Sequence, residues 1–183
     1  GFERQADHTP GGPPENLRWR RGAIGFVTLN LPGSNNGLAS EGLGASELRV
    51  RERFNAEWLH EAYAIAAREA QAALVVVAHA NPHFDRDRAG RSAPGASGAR
   101  RDGYAAFRRL LNESSDAFAG PTLFLHGDTH WHTVQAISPK LTRIEAHGSP
   151  FVDQWVRIDV DADARAPFSI VSRRIAAAQP TPP

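Results

Sequence analysis

The sequence predicts a single α/β domain in which helices cover one face of a sheet of parallel and antiparallel strands. Two observations lead to this fold class. The apolar runs 23–31 and 73–78 have the length of strands, and the second is apolar throughout, as in a strand buried on both faces of a parallel sheet. Between them, apolar residues recur at helical spacing, which predicts a strand–helix–strand crossover.

The amino-terminal third predicts an arm followed by a β-hairpin. Residues 1–16 are rich in Pro, Gly and polar side chains, so we expect a flexible arm or linker before a domain spanning 17–175. An alternating run from Leu17 to Arg21 reaches a turn at Gly22, and the next strand ends at Pro32, which has no N–H for a sheet hydrogen bond. Residues 33–48 are rich in Gly, Ser and Asn and predict a loop.

The remainder predicts two helices, further strands and a loose tail. A long amphipathic helix is expected from about residue 48 to 73, and a second helix at 102–118. They are separated by the strand ending at Ala78 and by a charged, Gly-rich insertion at 83–102, and a strand at 121–126 follows. The last runs predict antiparallel strands that finish the sheet before the tail 176–183: 141–146, 154–160 and 168–173.

Composition excludes several classes of protein. A formal net charge of +1 gives no reason to expect nucleic-acid binding, the absence of cysteine excludes thiolate metal sites, and no apolar run approaches the ~20 residues that span a bilayer. Lys140 is the only lysine, and this preference for arginine is typical of GC-rich bacterial genomes; a cytoplasmic and an exported location both stay open. The chain starts at Gly1 and contains no methionine, so we expect part of a longer or processed protein.

Polar side chains with metal-binding chemistry follow the predicted strands. The stretch from His126 to His132 contains Asp128 and His130 directly after one strand, and His79 follows another. Carboxylates and imidazoles are ligands of Zn, Mn and Fe. Because the loops at the carboxyl ends of parallel strands meet at one edge of a sheet, we expect these side chains to meet there, with Asn36 nearby.

Two of these loops resemble the last two motifs of the calcineurin-like metallophosphoesterases. The matching residues are His79-x-x-Pro82 and Gly127-Asp128-Thr129-His130. In that family, a histidine follows one central strand and a Gly-His-x-His motif follows the next. Asp128 stands in place of the first histidine of that pair, and a carboxylate can replace an imidazole on Mn or Fe. The order of elements is similar over roughly residues 16–160.

The resemblance implies a metal-dependent phosphoester hydrolase. Two divalent cations (Mn, Fe or Zn), ~3.5–4 Å apart, would bind the phosphoester substrate and activate water. His79, Asp128 and His130 would be metal ligands, with His79 and His130 in the catalytic centre. A role in orienting ligands or substrate is implied for three further residues: Asn36, Asn81 and His132.

The resemblance also implies that this chain is the carboxyl-terminal half of such an enzyme. The family's earlier metal motifs, Asp-x-His, Gly-Asp and Gly-Asn-His, are absent from the sequence. We therefore expect at most one metal ion in this chain and no useful hydrolysis by it alone. The family fold is a four-layer α/β/β/α sandwich, so a missing amino-terminal segment or a second chain would cover the inner face of this sheet.

A different class of protein also fits the sequence. The alternative is a non-catalytic binding or scaffold module that keeps the fold without a functional metal site. In that case Asp128 caps a turn, and His79 is a hydrogen-bonded residue at a strand end.

Overall fold

The computed structural model describes residues 1–38, 44–85, 102–150, 152–162 and 166–175. The strands in this part of the chain are β1 Phe2–Arg4, β2 Leu17–Arg21, β3 Ile24–Thr28, β4 Ala73–Val77, β5 Thr122–His126, β6 Thr133–Ala136, β7 Leu141–Glu145, β8 Gln154–Val160 and β9 Phe168–Arg174. The helical segments are α1 Gln5–His8, α2 Gly33–Asn36, α3 Gly44–Arg68 and α4 Ala105–Ala117.

A mixed seven-stranded sheet forms the centre of the molecule and confirms the predicted α/β class. The strand order is β1-β2-β3-β4-β5-β7-β6. The four strands β3, β4, β5 and β7 are parallel, while β1, β2 and β6 pair antiparallel to their neighbours. The predicted hairpin of β2 and β3 is confirmed, and Gly22 makes its turn with a φ of 58°. Since β3, β4, β5 and β7 all point the same way, the segments that follow them leave from one edge of the sheet.

Helices α3 and α4 cover one face of this sheet, as expected. Apolar residues of β3, β4 and β5 face them, and the core on this side includes Trp58, Leu59, Leu111 and Phe124. The long helix begins at Gly44, four residues earlier than expected, and ends at Arg68. No helix in the described part of the chain is both long enough and apolar enough to cross a membrane.

A separate two-stranded sheet, β8 and β9, covers part of the other face. Val156, Ile158 and Ile170 of this hairpin pack on a core that includes Val75 and Leu123. The expectation that the last three runs finish the main sheet is therefore wrong. Only β7 joins that sheet, where it pairs parallel with β5, and the other two runs pair with each other as a second layer. The described residues thus form helix, sheet and sheet layers.

The amino-terminal segment that was predicted to be an arm carries ordered structure. Its strand β1 pairs with β2, and Gln5 and Asn16 are buried behind it. Asn16 donates to Gln5 Oε1 at 2.8 Å and to Asn55 Oδ1 at 2.9 Å, and accepts from the backbone N–H of Asn30 at 2.6 Å. We call these four residues, Gln5, Asn16, Asn30 and Asn55, the amide cluster. It ties residues 1–16 to β3 and α3.

Two predictions fall mainly outside the described residues. Of the insertion 83–102, the structure describes residues 83–85 and 102 alone, and of the tail it describes none of 176–183. A strand that the sequence did not predict, β6, lies between His132 and the run 141–146 and forms an edge of the main sheet.

Candidate functional site

The segments that follow β3, β4 and β5 come together at the carboxyl edge of the sheet. The backbone N–H of Asn81 donates to Oδ2 of Asp128 at 3.3 Å, and the N–H of Gly127 donates to the carbonyl of His79 at 2.9 Å. A Cβ at position 33 would lie 3.1 Å from Oδ1 of Asp128, so Gly33 leaves space beside that carboxylate. Three segments that are distant in sequence therefore surround Asp128.

This edge contains a concentration of left-handed backbone at residues other than glycine. Asp128 has a φ of 85° and His130 a φ of 67°. The nearby segments add four more such residues: Ser34, Asn35, Asn36 and His83. A side chain in this region of φ costs ~1–2 kcal/mol per residue, and such residues cluster at binding and catalytic sites. The strain therefore marks the same edge that the sequence singled out.

The imidazole of His130 is exposed and held through one nitrogen. Its Nδ1 lies 2.8 Å from the carbonyl oxygen of Ser149. A carbonyl can only accept, so Nδ1 carries a proton, and in the neutral imidazole Nε2 then has the lone pair that can bind a metal or accept a proton. A Cβ at position 148 would lie 2.7 Å from the His130 ring, so Gly148 is required for this placement.

The other predicted ligand and orienting residues differ in exposure and in the partners of their side chains. His79 is exposed at the same edge and joins the Asp128 segment through its backbone carbonyl. His132 points to β7 instead, with Nδ1 2.8 Å from the carbonyl of Glu145 and its ring stacked on His147 at 4.4 Å. Asn36 is buried, and its side chain is occupied by Gly103 and by an arginine of α3. Asp128, His130 and His79 therefore lie on adjoining segments of this edge, while the side chains of His132 and Asn36 are hydrogen bonded to other parts of the chain.

Beneath these side chains lies a buried polar group that the sequence did not predict. Glu145 ends β7 with 1% of its surface exposed. Its carboxylate accepts from Nδ2 of Asn81 at 2.9 Å, from the backbone N–H of Thr129 at 2.9 Å and from the hydroxyl of Thr129. Five residues form this carboxyl-edge cluster: Asn81, His126, Thr129, Arg143 and Glu145. Asn81, predicted to orient ligands or substrate, is thus a structural link between two site segments.

His126 and Arg143 complete the carboxyl-edge cluster. The guanidinium of Arg143 lies 3.2 Å from Oδ1 of Asn81 and 3.4 Å from Nε2 of His126. His126 is buried and stacks on Phe124 at 5.2 Å. Burial lowers the pKa of His126, and the cation of Arg143 acts in the same direction, against the opposing effects of the Gly127 carbonyl and Glu145. His126 is therefore neutral at pH 7 and belongs to the support of the site.

The donor chemistry fits a divalent metal, but the number of donors does not complete a site. Asp128 offers a carboxylate and His130 a free imidazole nitrogen, both of which bind Mn, Fe or Zn. Within the described ranges, no group of three or more His, Asp or Glu side chains is placed to hold a metal ion. These residues alone would thus supply at most part of a coordination shell.

One feature of the sequence, the alternation of residues in β7, indicates the buried carboxylate at the end of that strand. In the run Leu141–Glu145, Arg143 and Glu145 share the face of Leu141, which is fully buried. Two charges on the face of a buried strand indicate a paired or functional role, because unpaired buried charges are costly.

Comparison of the chain with protein-family models, with curated proteins and with solved structures gives no match. The fold and the site described above are therefore the physical basis on which a function can be assigned.

Proposed function

We propose that this chain contributes the carboxyl-terminal ligands of a divalent-metal phosphoester hydrolase. The observation that carries the proposal is the position of Asp128 and His130, two residues apart, at the carboxyl edge, where the imidazole of His130 is held through Nδ1. The exposed His79 lies on the adjacent segment, whose backbone is hydrogen bonded to that of the Asp128 segment. On this proposal His79, Asp128 and His130 are metal ligands, and the two histidines belong to the catalytic centre.

Each of these residues has a task that its contacts support. A divalent cation at such a site supplies a Lewis acid and lowers the pKa of bound water. Asp128 contributes a hard oxygen donor whose orientation is held by the N–H of Asn81. His130 contributes a nitrogen whose direction is held by Ser149, which reduces the entropy lost on binding. His79 is exposed at the same edge, and on this proposal its imidazole would act in the catalytic centre.

The proposal requires ligands from outside this chain. A two-metal site with Mn, Fe or Zn needs a bridging carboxylate and further donors, and the three residues assigned here supply none that bridges. We propose that an amino-terminal segment or a second chain provides them. The same segment would add a layer to the helix, sheet and sheet arrangement and produce a four-layer α/β/β/α sandwich.

A second candidate function is a non-catalytic binding or scaffold module. It is favoured by one finding, that no three acidic or histidine side chains of the described residues are grouped for a metal. On this candidate, the strained edge binds a ligand or partner without hydrolysing it.

The two candidates are separated by activity and metal content of the full-length protein. We expect Mn-dependent hydrolysis of an aryl phosphate, and a loss of at least about 100-fold in kcat/KM in His130→Ala. The matched control is His60→Ala, which removes an exposed histidine of α3. Equal rates for wild type and His130→Ala would overturn the hydrolase proposal. Bound stoichiometric metal would argue against the scaffold candidate.

The 183-residue chain by itself should bind at most one divalent ion and should not hydrolyse phosphoesters at a useful rate. Within the described residues, His79, Asp128 and His130 are not grouped around one ion, so any single ion should be held weakly, and the bridge that keeps two cations together is lacking. Titration with Mn or Zn by calorimetry measures the stoichiometry, and a chelator should remove the ion. Two tight sites per chain would contradict the ligand assignment.

A further inference from the structure

We propose that Glu145 is the positioning residue of this site, because it fixes the separation between the His79–Asn81 segment and the Asp128–His130 segment. The inference rests on the proposed function for the activity of the site, whereas the contacts of Glu145 with Asn81 and Thr129 support the positioning role by themselves. No comparison and no sequence motif identified this carboxylate. It ends β7, a strand that supplies neither of the two segments.

Glu145 holds both segments at once through different oxygens. Oε2 accepts from Nδ2 of Asn81, and Oε1 accepts from both the N–H and the hydroxyl of Thr129. Thr129 lies between Asp128 and His130, so its backbone position determines where both proposed ligands project. Asn81 in turn holds Asp128 through its own N–H. A single buried carboxylate therefore closes a ring of contacts around Asp128.

The surrounding groups determine which atoms around Glu145 donate a hydrogen bond and which accept one. Oδ1 of Asn81 already accepts from the N–H of His83 at 2.9 Å and from Arg143 at 3.2 Å, so its Nδ2 must be the group that faces Glu145. The N–H of Thr129 can only donate. Both neighbours therefore present donors, and position 145 requires an acceptor on each side.

Glutamine at position 145 cannot satisfy both sides. Whichever way its amide is oriented, its own NH₂ faces either Asn81 Nδ2 or Thr129 N–H, each of which is 2.9 Å from the present carboxylate oxygens. The change is nearly isosteric, so it tests polarity with little change in volume. The expected result is that one of the two segments is released from β7.

A second substitution restores the match between donors and acceptors by exchanging the amide and the carboxylate between positions 81 and 145. In Asn81→Asp combined with Glu145→Gln, the glutamine NH₂ donates to the new carboxylate while its oxygen still accepts from Thr129. The second oxygen of that new carboxylate can accept from His83 N–H and from Arg143, as the asparagine oxygen does now. This double variant keeps one negative charge in the cluster and moves it by one side chain.

The test compares amide hydrogen exchange at Thr129 and at Asn81, one in each segment, in the full-length wild-type protein, Glu145→Gln, the double variant and a control. We expect exchange at one of the two positions to accelerate by roughly 10-fold or more in Glu145→Gln, because the segment that faces the glutamine NH₂ loses its hydrogen bond to a charged acceptor. It should return close to the wild-type rate in the double variant. The control is Glu61→Gln, the same chemical change on α3, where the carboxylate is half exposed and pairs with Arg18; it should leave exchange at both positions unchanged.

Mn affinity of the same proteins separates failure of this inference from failure of the proposed function. Glu145→Gln should weaken Mn binding by about 10–100-fold, and the double variant should recover most of it. Unchanged exchange at both Thr129 and Asn81 in Glu145→Gln would overturn the inference whatever the metal data show. Faster exchange that the double variant fails to restore would also overturn it, since the charge at position 145 would then matter rather than the bridge. Absence of Mn binding in wild type, with exchange behaving as expected, would overturn the hydrolase proposal and leave the positioning role supported.

Discussion

The amide cluster and the carboxyl-edge cluster are both buried and hydrogen bonded, yet they differ in charge and in backbone strain. The amide cluster consists of neutral side chains that bond to each other and to neighbouring backbone. The carboxyl-edge cluster contains Glu145 and Arg143 and supports Asp128 and His130 in left-handed backbone. A neutral, closed network stabilises a fold, whereas a charged network under strained backbone has a structural cost that function can explain. The two clusters therefore identify different tasks within one domain.

The largest expected effect is at the centre of the amide cluster. Asn16→Ala removes a fully buried amide and leaves Oε1 of Gln5, Oδ1 of Asn55 and the N–H of Asn30 without the partner that they have now. We expect the free energy of unfolding to fall by about 3–5 kcal/mol, because each abandoned buried group costs about 1–3 kcal/mol. Urea denaturation measures it.

The control for this substitution lies at the rim of the same cluster. Glu15→Gln alters an exposed contact to Nδ2 of Asn30 and should change stability by no more than about 0.5 kcal/mol. Metal binding by the full-length protein should be the same for Asn16→Ala and wild type wherever both are folded. A loss of metal binding in folded Asn16→Ala would show that the two clusters do not have separate tasks.

The second expected effect is a pH dependence to which the carboxyl-edge cluster contributes and the amide cluster does not. The pKa of His126 is lowered in the folded protein, chiefly by burial, so the unfolded chain takes up a proton first as the pH falls. The stabilising contribution is therefore complete above the ordinary pKa value of 6.5 and is lost progressively below it. The slope attributable to one such group is at most about 1.4 kcal/mol per pH unit.

Urea denaturation in the presence of a chelator measures this dependence. It is carried out at about pH 7.5 and about pH 5.5, which lie on either side of the ordinary histidine pKa. His126→Gln should lose part of the slope, while His60→Gln, on the exposed face of α3, should retain it. An identical slope in wild type and His126→Gln would place the titrating group elsewhere.

Gly148→Ala is expected to have the smallest effect on stability. It should nevertheless weaken metal binding at the site. The added Cβ would lie 2.7 Å from the ring of His130, so the imidazole must move, while the core is untouched. We expect a change of less than about 1 kcal/mol in the free energy of unfolding and roughly 10-fold weaker Mn binding by the full-length protein. Thermal melting and a Mn titration measure the two quantities, and unchanged Mn affinity would remove His130 from the set of ligands.

The parts of the fold that could be predicted are those in which periodicity alone determines the structure. The apolar run of β4 and the helical spacing of Phe54, Trp58 and Ala62 identify a buried strand and its covering helix without reference to any partner. The position of Asp128 and His130 at a sheet edge follows from the strand that precedes them.

The parts that could not be predicted depend on partners distant in sequence. The alternating pattern of β8 and β9 identifies strands, but a half-buried strand can join a sheet or cover one, and tertiary packing on Val75 and Leu123 decides which. Asn16 lies in a Pro- and Gly-rich stretch that is typical of a linker, and its partners in α3 and after β3 are invisible locally. The position of Glu145 at the end of a strand does not identify its partners, because Asn81 and Thr129 belong to two loops that are distant in sequence.

The position of β7 between β5 and β6 has a kinetic consequence. The parallel pairing of β5 with β7 joins residues that are about twenty apart in sequence, and those of β3 with β4 are about fifty apart, so the sheet is built from non-local contacts that close slowly. Glu145 reaches Asn81 and Thr129 only after β7 has docked. The carboxyl edge should therefore be among the last regions of this chain to gain protection during refolding, and β8 with β9, a local hairpin, is able to form independently of it.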